Sequence, residues 1–174
     1  SRLGDASAAQ AFAREAVQRA ECIGDQRLLA DSAMRLGSTL LEAGLPEAIE
    51  EYRRAESLFD ELDDRYGMVR CQINIGIVYS NTGNSSSAEA AYRRAVELGE
   101  NAHTPDLAGL ASLNLGLLYL KEGRYDEARV WFEEARRLFI MVKNEPHRLA
   151  TLYNMGHLAR ECGDSTAALA LYEE

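Results

Sequence analysis

Three asparagines stand in register along the 174-residue sequence, each followed by an apolar residue and a glycine: Asn74-Ile75-Gly76, Asn114-Leu115-Gly116 and Asn154-Met155-Gly156. A carboxamide carries one acceptor and two donors, the complement of a peptide bond, so a ladder of asparagines can hold the backbone of an extended chain. The same residues have a second use. Asparagine is poor in helix interiors, and a buried one needs partners, so bonds within or between structural repeats account for the pattern equally well. No other set of residues carries recognisable chemistry. His103, His147 and His157 are too scattered for a metal site, and no nucleophile has a base at a known spacing. Asn84-Ser85-Ser86 matches a glycosylation acceptor but reads as a turn. The expectation is a non-enzymatic protein without cofactor or metal.

The asparagines belong to a longer repeat. The glycine beside each is followed seven residues later by another, as Gly76 with Gly83, Gly116 with Gly123 and Gly156 with Gly163; Leu36-Gly37 with Gly44 is a first copy that has Arg35 in place of the asparagine. The copies step by 39, 40 and 40 residues, the signature of stacked helical units. Helix signals place a partial repeat at 1–24, full repeats at 25–63, 64–103 and 104–143, and a broken one at 144–174, all within a single domain. Gly4-Asp5 mirrors Gly163-Asp164, so one helix is expected to end at Gly4 and the next to run over Ser7 to Ile23. Each full repeat is expected to hold two helices, the first ending near the second glycine. Pro46 is expected in the first turn of a second helix, and Thr104-Pro105-Asp106 as cap, first residue and acid of a first helix. Gly44 to Tyr52 is one residue shorter than the equivalent spacing in the other copies, which explains the 39-residue step.

Counted from the motif glycine, one stripe of each first helix reads Asp31, Met34, Ser38, Leu41; then Arg70, Ile73, Ile77, Ser80; then Leu110, Leu113, Leu117, Leu120; then Ala150, Tyr153, His157, Arg160. Two readings stand for this stripe: packing against adjacent repeats, or reception of a partner's apolar side chains. Candidate partner-binding residues are therefore Asn74, Asn114, Asn154, Arg70, Ile73, Ile77, Leu113, Leu117, Tyr153, His157 and Arg160. Should the asparagines prove structural, the surface around Trp131 is the next candidate.

Composition narrows the classes. A net charge of −9 and a pI near 4.9 disfavour nucleic acid or an anionic membrane surface as partner. Cys22, Cys71 and Cys162 are odd in number and in no metal-binding pattern, which points to a reducing, cytoplasmic setting. No apolar run reaches the roughly 20 residues of a membrane span. Partial repeats at both ends would expose apolar helix surface, so self-association is expected through Ala13 and Ala16 at one end and Leu169 and Leu171 at the other.

The repeat resembles the tetratricopeptide repeat family, whose unit reads W-x2-L-G-x2-Y, then A-x3-F, then P. The L-G pair recurs as above, the first aromatic is Tyr79 or Tyr119, and A-x3-F appears as Ala48/Tyr52, Ala88/Tyr92, Ala128/Phe132 and Ala168/Tyr172. The tryptophan position holds Ala33, Gln72, Ser112 and Leu152, and the terminal proline is absent. The period near 40 is similar to the longer-helix subgroup of spindle-orientation adaptors, kinesin light chains and bacterial peptide-sensing regulators. This resemblance implies an all-α, right-handed solenoid of antiparallel helix hairpins. It implies a protein-interaction scaffold whose concave groove takes a peptide or helical segment, with the asparagine position contacting the partner's backbone. A ligand-sensing segment of a larger signalling protein is the alternative.

Overall fold

The computed structural model describes residues 2–174, with side chains described from residue 7 onward. Among the described residues the regular structure is helical throughout: α1 (Arg2–Ile23), α2 (Gln26–Glu42), α3 (Ala48–Glu61), α4 (Arg65–Asn81), α5 (Ser85–Asn101), α6 (Pro105–Lys121), α7 (Tyr125–Met141), α8 (Glu145–Glu161) and α9 (Ser165–Glu173). The expected break at Gly4 is absent, since α1 runs through it. A single glycine costs a helix about 1 kcal/mol and does not by itself end one. The side chains of the Gly4-Asp5-Ala6 stretch lie outside the described residues.

Capping explains where most helices start. Asp25, Asp64 and Asn144 accept hydrogen bonds from the backbone N–H of Leu28 (3.0 Å), Gly67 (2.9 Å) and His147 (3.3 Å), satisfying donors left open in the first turns of α2, α4 and α8. Asp164 does the same for Ala167 at the start of α9. Thr104, Pro105 and Asp106 take the cap, first-turn proline and first-turn acid positions expected of them, but Thr104 caps without its side chain. The Leu107 N–H that its side chain would cap bonds the Thr104 carbonyl instead (3.1 Å), and the hydroxyl donates backward to the Gly99 carbonyl (3.2 Å).

The short first repeat is resolved in the turn before α3. In the later repeats the motif alanine bonds back four residues, Ala88 to Asn84, Ala128 to Arg124 and Ala168 to Asp164, each at 3.0 Å. Ala48 bonds back only three, to Leu45 at 3.3 Å, followed by Ile49 to Pro46 (3.1 Å) and Glu50 to Glu47 (3.1 Å). A tighter 3₁₀-type turn absorbs the missing residue. Pro46 consequently lies in that turn, ahead of the helix it was expected to open.

The chain forms two compact units, Ser1–Ala91 and Tyr92–Glu174, with the division inside α5. In the first unit α2 packs on α1 and α3, and α3 on α4, around Leu36, Tyr52, Ala55, Phe59 and Val69. In the second unit α6 packs on α7, α7 on α8 and α8 on α9, around Leu115, Tyr119, Phe132, Phe139 and Leu152. Close approach at motif glycines sets the hairpin geometry. A Cβ on Gly37 would lie 2.9 Å from the Tyr52 ring, and one on Gly116 2.4 Å from the Phe132 ring. A second glycine in these first helices also sits on a second-helix ring: Gly67 on the Phe59 ring of the preceding hairpin (2.5 Å for an added Cβ) and Gly109 on the Phe139 ring of its own hairpin (2.9 Å). An arginine after the second-helix aromatic ties each unit internally, Arg53 donating to the Tyr79 hydroxyl (3.0 Å) and Arg93 to the Tyr119 hydroxyl (2.8 Å).

Candidate functional site

In the second unit the first helices of two repeats, α6 and α8, touch at a few positions and carry Asn114 and Asn154. Both side chains are half-buried. Asn154 Nδ2 donates to the Ala150 carbonyl one turn back (2.8 Å), so its own helix takes one donor, and the carboxamide oxygen has no partner among the described residues. Asn114 has no side-chain hydrogen bond among the described residues, nor does Asn74, half-buried on α4 in the first unit. These amides therefore retain both donor and acceptor capacity on a partly solvated helix face.

The apolar residues separate into two groups. Ile73 is 3% exposed and Leu113 6%, so both serve chiefly to pack their helices. Leu117 is 38% exposed and Tyr153 65%, while Leu110, Leu120 and, on α4, Ile77 are half-buried. α6 is apolar on nearly all sides, yet it keeps this one opening beside Asn114. The Tyr153 ring leans on Tyr172 of α9, with centroids 5.7 Å apart. On α8, His157 Nε2 lies 3.8 Å from Glu161 Oε1, its Nδ1 is buried without a partner, and Arg160 is exposed. In the first unit, Arg70 is exposed with its guanidinium 5.9 Å from the centre of the Tyr66 ring.

The first copy differs, as Arg35 foretells. Arg35 is exposed, and the stripe is closed by internal bonds: the Ser38 hydroxyl donates to the Met34 carbonyl (3.0 Å) and accepts from the Tyr52 hydroxyl (3.2 Å). Burial pushes the Tyr52 phenol above its ordinary range, with the Ser38 bond opposing it. Among the described residues no group of three or more His, Cys, Asp and Glu gathers to hold a metal, and no helix is long and apolar enough to cross a membrane. Of the residues named for self-association, Ala16 and Leu169 are exposed, and Ala13 and Leu171 half-buried.

Sequence reasoning missed one recurrent element. The residue before each first-helix cap takes a left-handed backbone: Gly24 (φ 74°), Asp63 (φ 52°), His103 (φ 53°) and Lys143 (φ 56°). Only one of the four is glycine. The signal available was the 39- and 40-residue register of these positions.

Helical hairpins with an L-G crossing in the first helix and A-x3-aromatic in the second define a helical-repeat protein. The tetratricopeptide repeat family matches residues 28–101 and 107–174, and a second model of that description matches 73–140. The chain belongs to the tetratricopeptide repeat family and has its all-α solenoid fold. Among curated relatives it is 30% identical over 105 residues to the regulatory protein AfsR of Streptomyces griseus, covering 60% of this chain and 11% of that protein. It is 33% identical over 96 residues to the photosystem I assembly protein Ycf3 of Parasynechococcus marenigrum, covering 51% of this chain and 50% of that one. Thus the chain spans about a tenth of the first relative and half of the second. Among solved structures, BtubC of P. vanneervenii is similar with a TM-score of 0.81 at 23% identity, covering 99% of this chain and 72% of that one. A Rap protein complexed with Competence and Sporulation Factor is similar with a TM-score of 0.82 at 16% identity, covering 99% and 48%. At these identities the structural likeness concerns the fold.

Proposed function

We propose that this chain is a non-enzymatic protein-interaction module. It takes an extended peptide or helical segment on its first-helix face, with Asn114 and Asn154 bonding the partner's backbone in the second unit and Asn74 supplying the same group in the first. The observation that carries this reading is the Asn114 carboxamide, without a hydrogen bond among the described residues and one helical turn from the exposed Leu117. A mid-helix asparagine kept for structure alone would be expected to spend its groups on neighbours. Leu117 and Tyr153 would receive apolar side chains, while Arg160 and His157 favour acidic ones. Ile73 and Leu113 support the helices beneath.

Similarity to part of a regulatory protein favours a regulatory version of the same reading, in which occupancy of this face is relayed to further domains. One solved relative of the same fold is a Rap conjugation gene regulator in complex with the Phr* peptide. The three free thiols suit a reducing compartment such as the cytoplasm. The test is selection of binders from a random peptide library on the intact chain, followed by binding to a Leu117→Glu/Tyr153→Glu variant. Selected peptides should lose binding to the variant while its helical circular dichroism is unchanged. Full retention of binding would overturn the assignment to this face.

A further inference from the structure

The second helices of the Tyr92–Glu174 unit enclose a groove with a different character. Its walls are the part of α5 from Arg93 onward and α7, and its volume is about 1030 Å³. Val96, buried, and Trp131, half-buried, line it, and Val130 on the α7 wall is 65% exposed. Two of the arginines at the groove are committed to its own groups. The Arg93 guanidinium lies 5.5 Å from the centre of the Trp131 ring and donates to the Tyr119 hydroxyl. Arg137 donates twice to Glu134, at 2.8 and 2.6 Å.

Two acids on the α5 wall are less committed, although the Glu100 charge reaches the Arg137 guanidinium and helps to raise its pKa behind Glu134. Glu97 and Glu100 are exposed, three residues apart on one helix, and neither forms a salt bridge among the described residues. Residues at that spacing stand about 5–6 Å apart in a row along the helix. They match cations spaced by one turn on a second helix lying in the groove, and a channel between two helices accepts a helical ridge. Of the arginines lining the groove, Arg129 has no salt bridge among the described residues, and it sits at the start of the α7 wall, away from that row in sequence. A nucleic-acid backbone would meet these carboxylates unfavourably, and the net charge of −9 steers cationic partners toward the chain.

We propose that this groove docks an amphipathic helix of a protein partner, with its apolar ridge on Val130 and Trp131 and its lysines or arginines against Glu97 and Glu100. The surface is separate from the first-helix face of α6 and α8, and its occupancy does not depend on a ligand there.

Trp131 is the sole tryptophan, so its emission reports on the groove directly. The probe is a synthetic helical peptide with leucines along one face and lysines at i and i+3 on one flank, titrated into the intact chain beside a peptide with glutamates in place of the lysines. The cationic peptide should give a saturable blue shift, and the glutamate peptide should bind at least about tenfold more weakly. Glu97→Lys/Glu100→Lys should lower affinity for the cationic peptide by about tenfold. A Glu50→Lys/Asp60→Lys variant, with the same charge change on exposed positions of the first unit, should bind as the parent does. The proposal is overturned if the cationic peptide does not bind, if calorimetry records binding without a change in Trp131 emission, if the two peptides bind alike, or if both double variants lose affinity equally.

Discussion

A Cβ on Gly116 would lie 2.4 Å from Cδ1 of Phe132, whose ring is fully buried between α6 and α7. The same added atom on Gly156 would meet Tyr172 at 2.4 Å, but that ring is 44% exposed and free to turn outward. Gly116→Ala should therefore destabilise the chain by about 1–3 kcal/mol. At Gly156 the gain in helix propensity from alanine, about 1 kcal/mol, offsets most of the contact. Urea unfolding of the two variants checks this ordering, and equal losses would contradict it.

Lys143 and Gly123 both hold positive φ, 56° and 74°, but only the glycine does so without steric cost. Lys143→Gly should raise stability, because a side chain in the left-handed region costs about 1 kcal/mol or more. Gly123→Ala should lower it by a similar amount, although nothing lies within 4 Å of the added Cβ. Thermal melts of the pair should shift in opposite directions; a parallel shift would mean the backbone is not as described.

Asp64 caps α4 and pairs with Arg27 of α2. Burial pushes its carboxyl up, but the Gly67 N–H and the Arg27 guanidinium outweigh that and hold it below its ordinary 3.8. A carboxylate with a depressed folded-state pKa contributes stability that is present in full above the ordinary value and lost as pH falls through the folded value. Asp64→Ala should cost about 0.5–2 kcal/mol near neutrality. The gap between variant and parent should close as the pH is lowered from about 5 to about 2. A gap constant over that range would remove the ionic part of the argument.

Cys71 is fully buried on α4, and burial, reinforced by Glu56, pushes its thiol up to about 12. Cys22 and Cys162 are exposed. A disulfide reagent at about pH 8 should titrate two thiols in the native protein and the third only on unfolding, because the thiolate is the nucleophile. Three thiols reacting at one rate would contradict the packing around α4.

The fold was legible because L-G and A-x3-aromatic are packing signals: a glycine lets the helices close, and Tyr52 or Phe132 fills the space beside it. The helix starts after Asp64 and Asn144 fall at the repeat boundaries expected at 64 and 144. Gly4 misled because glycine alone does not stop a helix, and Pro46 because a one-residue deletion moved it into a 3₁₀ turn. Gly67 and Gly109 escaped notice because each contacts a ring on another helix, Phe59 of the preceding hairpin and Phe139 near the far end of the same one, a relation that spacing within one helix does not encode. The candidate stripe was legible as positions only. Burial divides it, setting Ile73 and Leu113 into the packing and leaving Leu117 and Tyr153 open, and burial depends on neighbours that a single helix cannot specify.

The most direct test of the central claim is a paired measurement on Asn114→Ala: affinity for a peptide selected on the parent chain, and thermal stability of the unliganded variant. Loss of one amide bond to a partner's backbone corresponds to roughly 0.5–1.5 kcal/mol, or about 2- to 12-fold in affinity. The account predicts that weakening with little change in melting temperature, since Asn114 has no side-chain hydrogen bond among the described residues to lose. A clear fall in melting temperature with affinity unchanged would make Asn114 a structural residue and contradict the account.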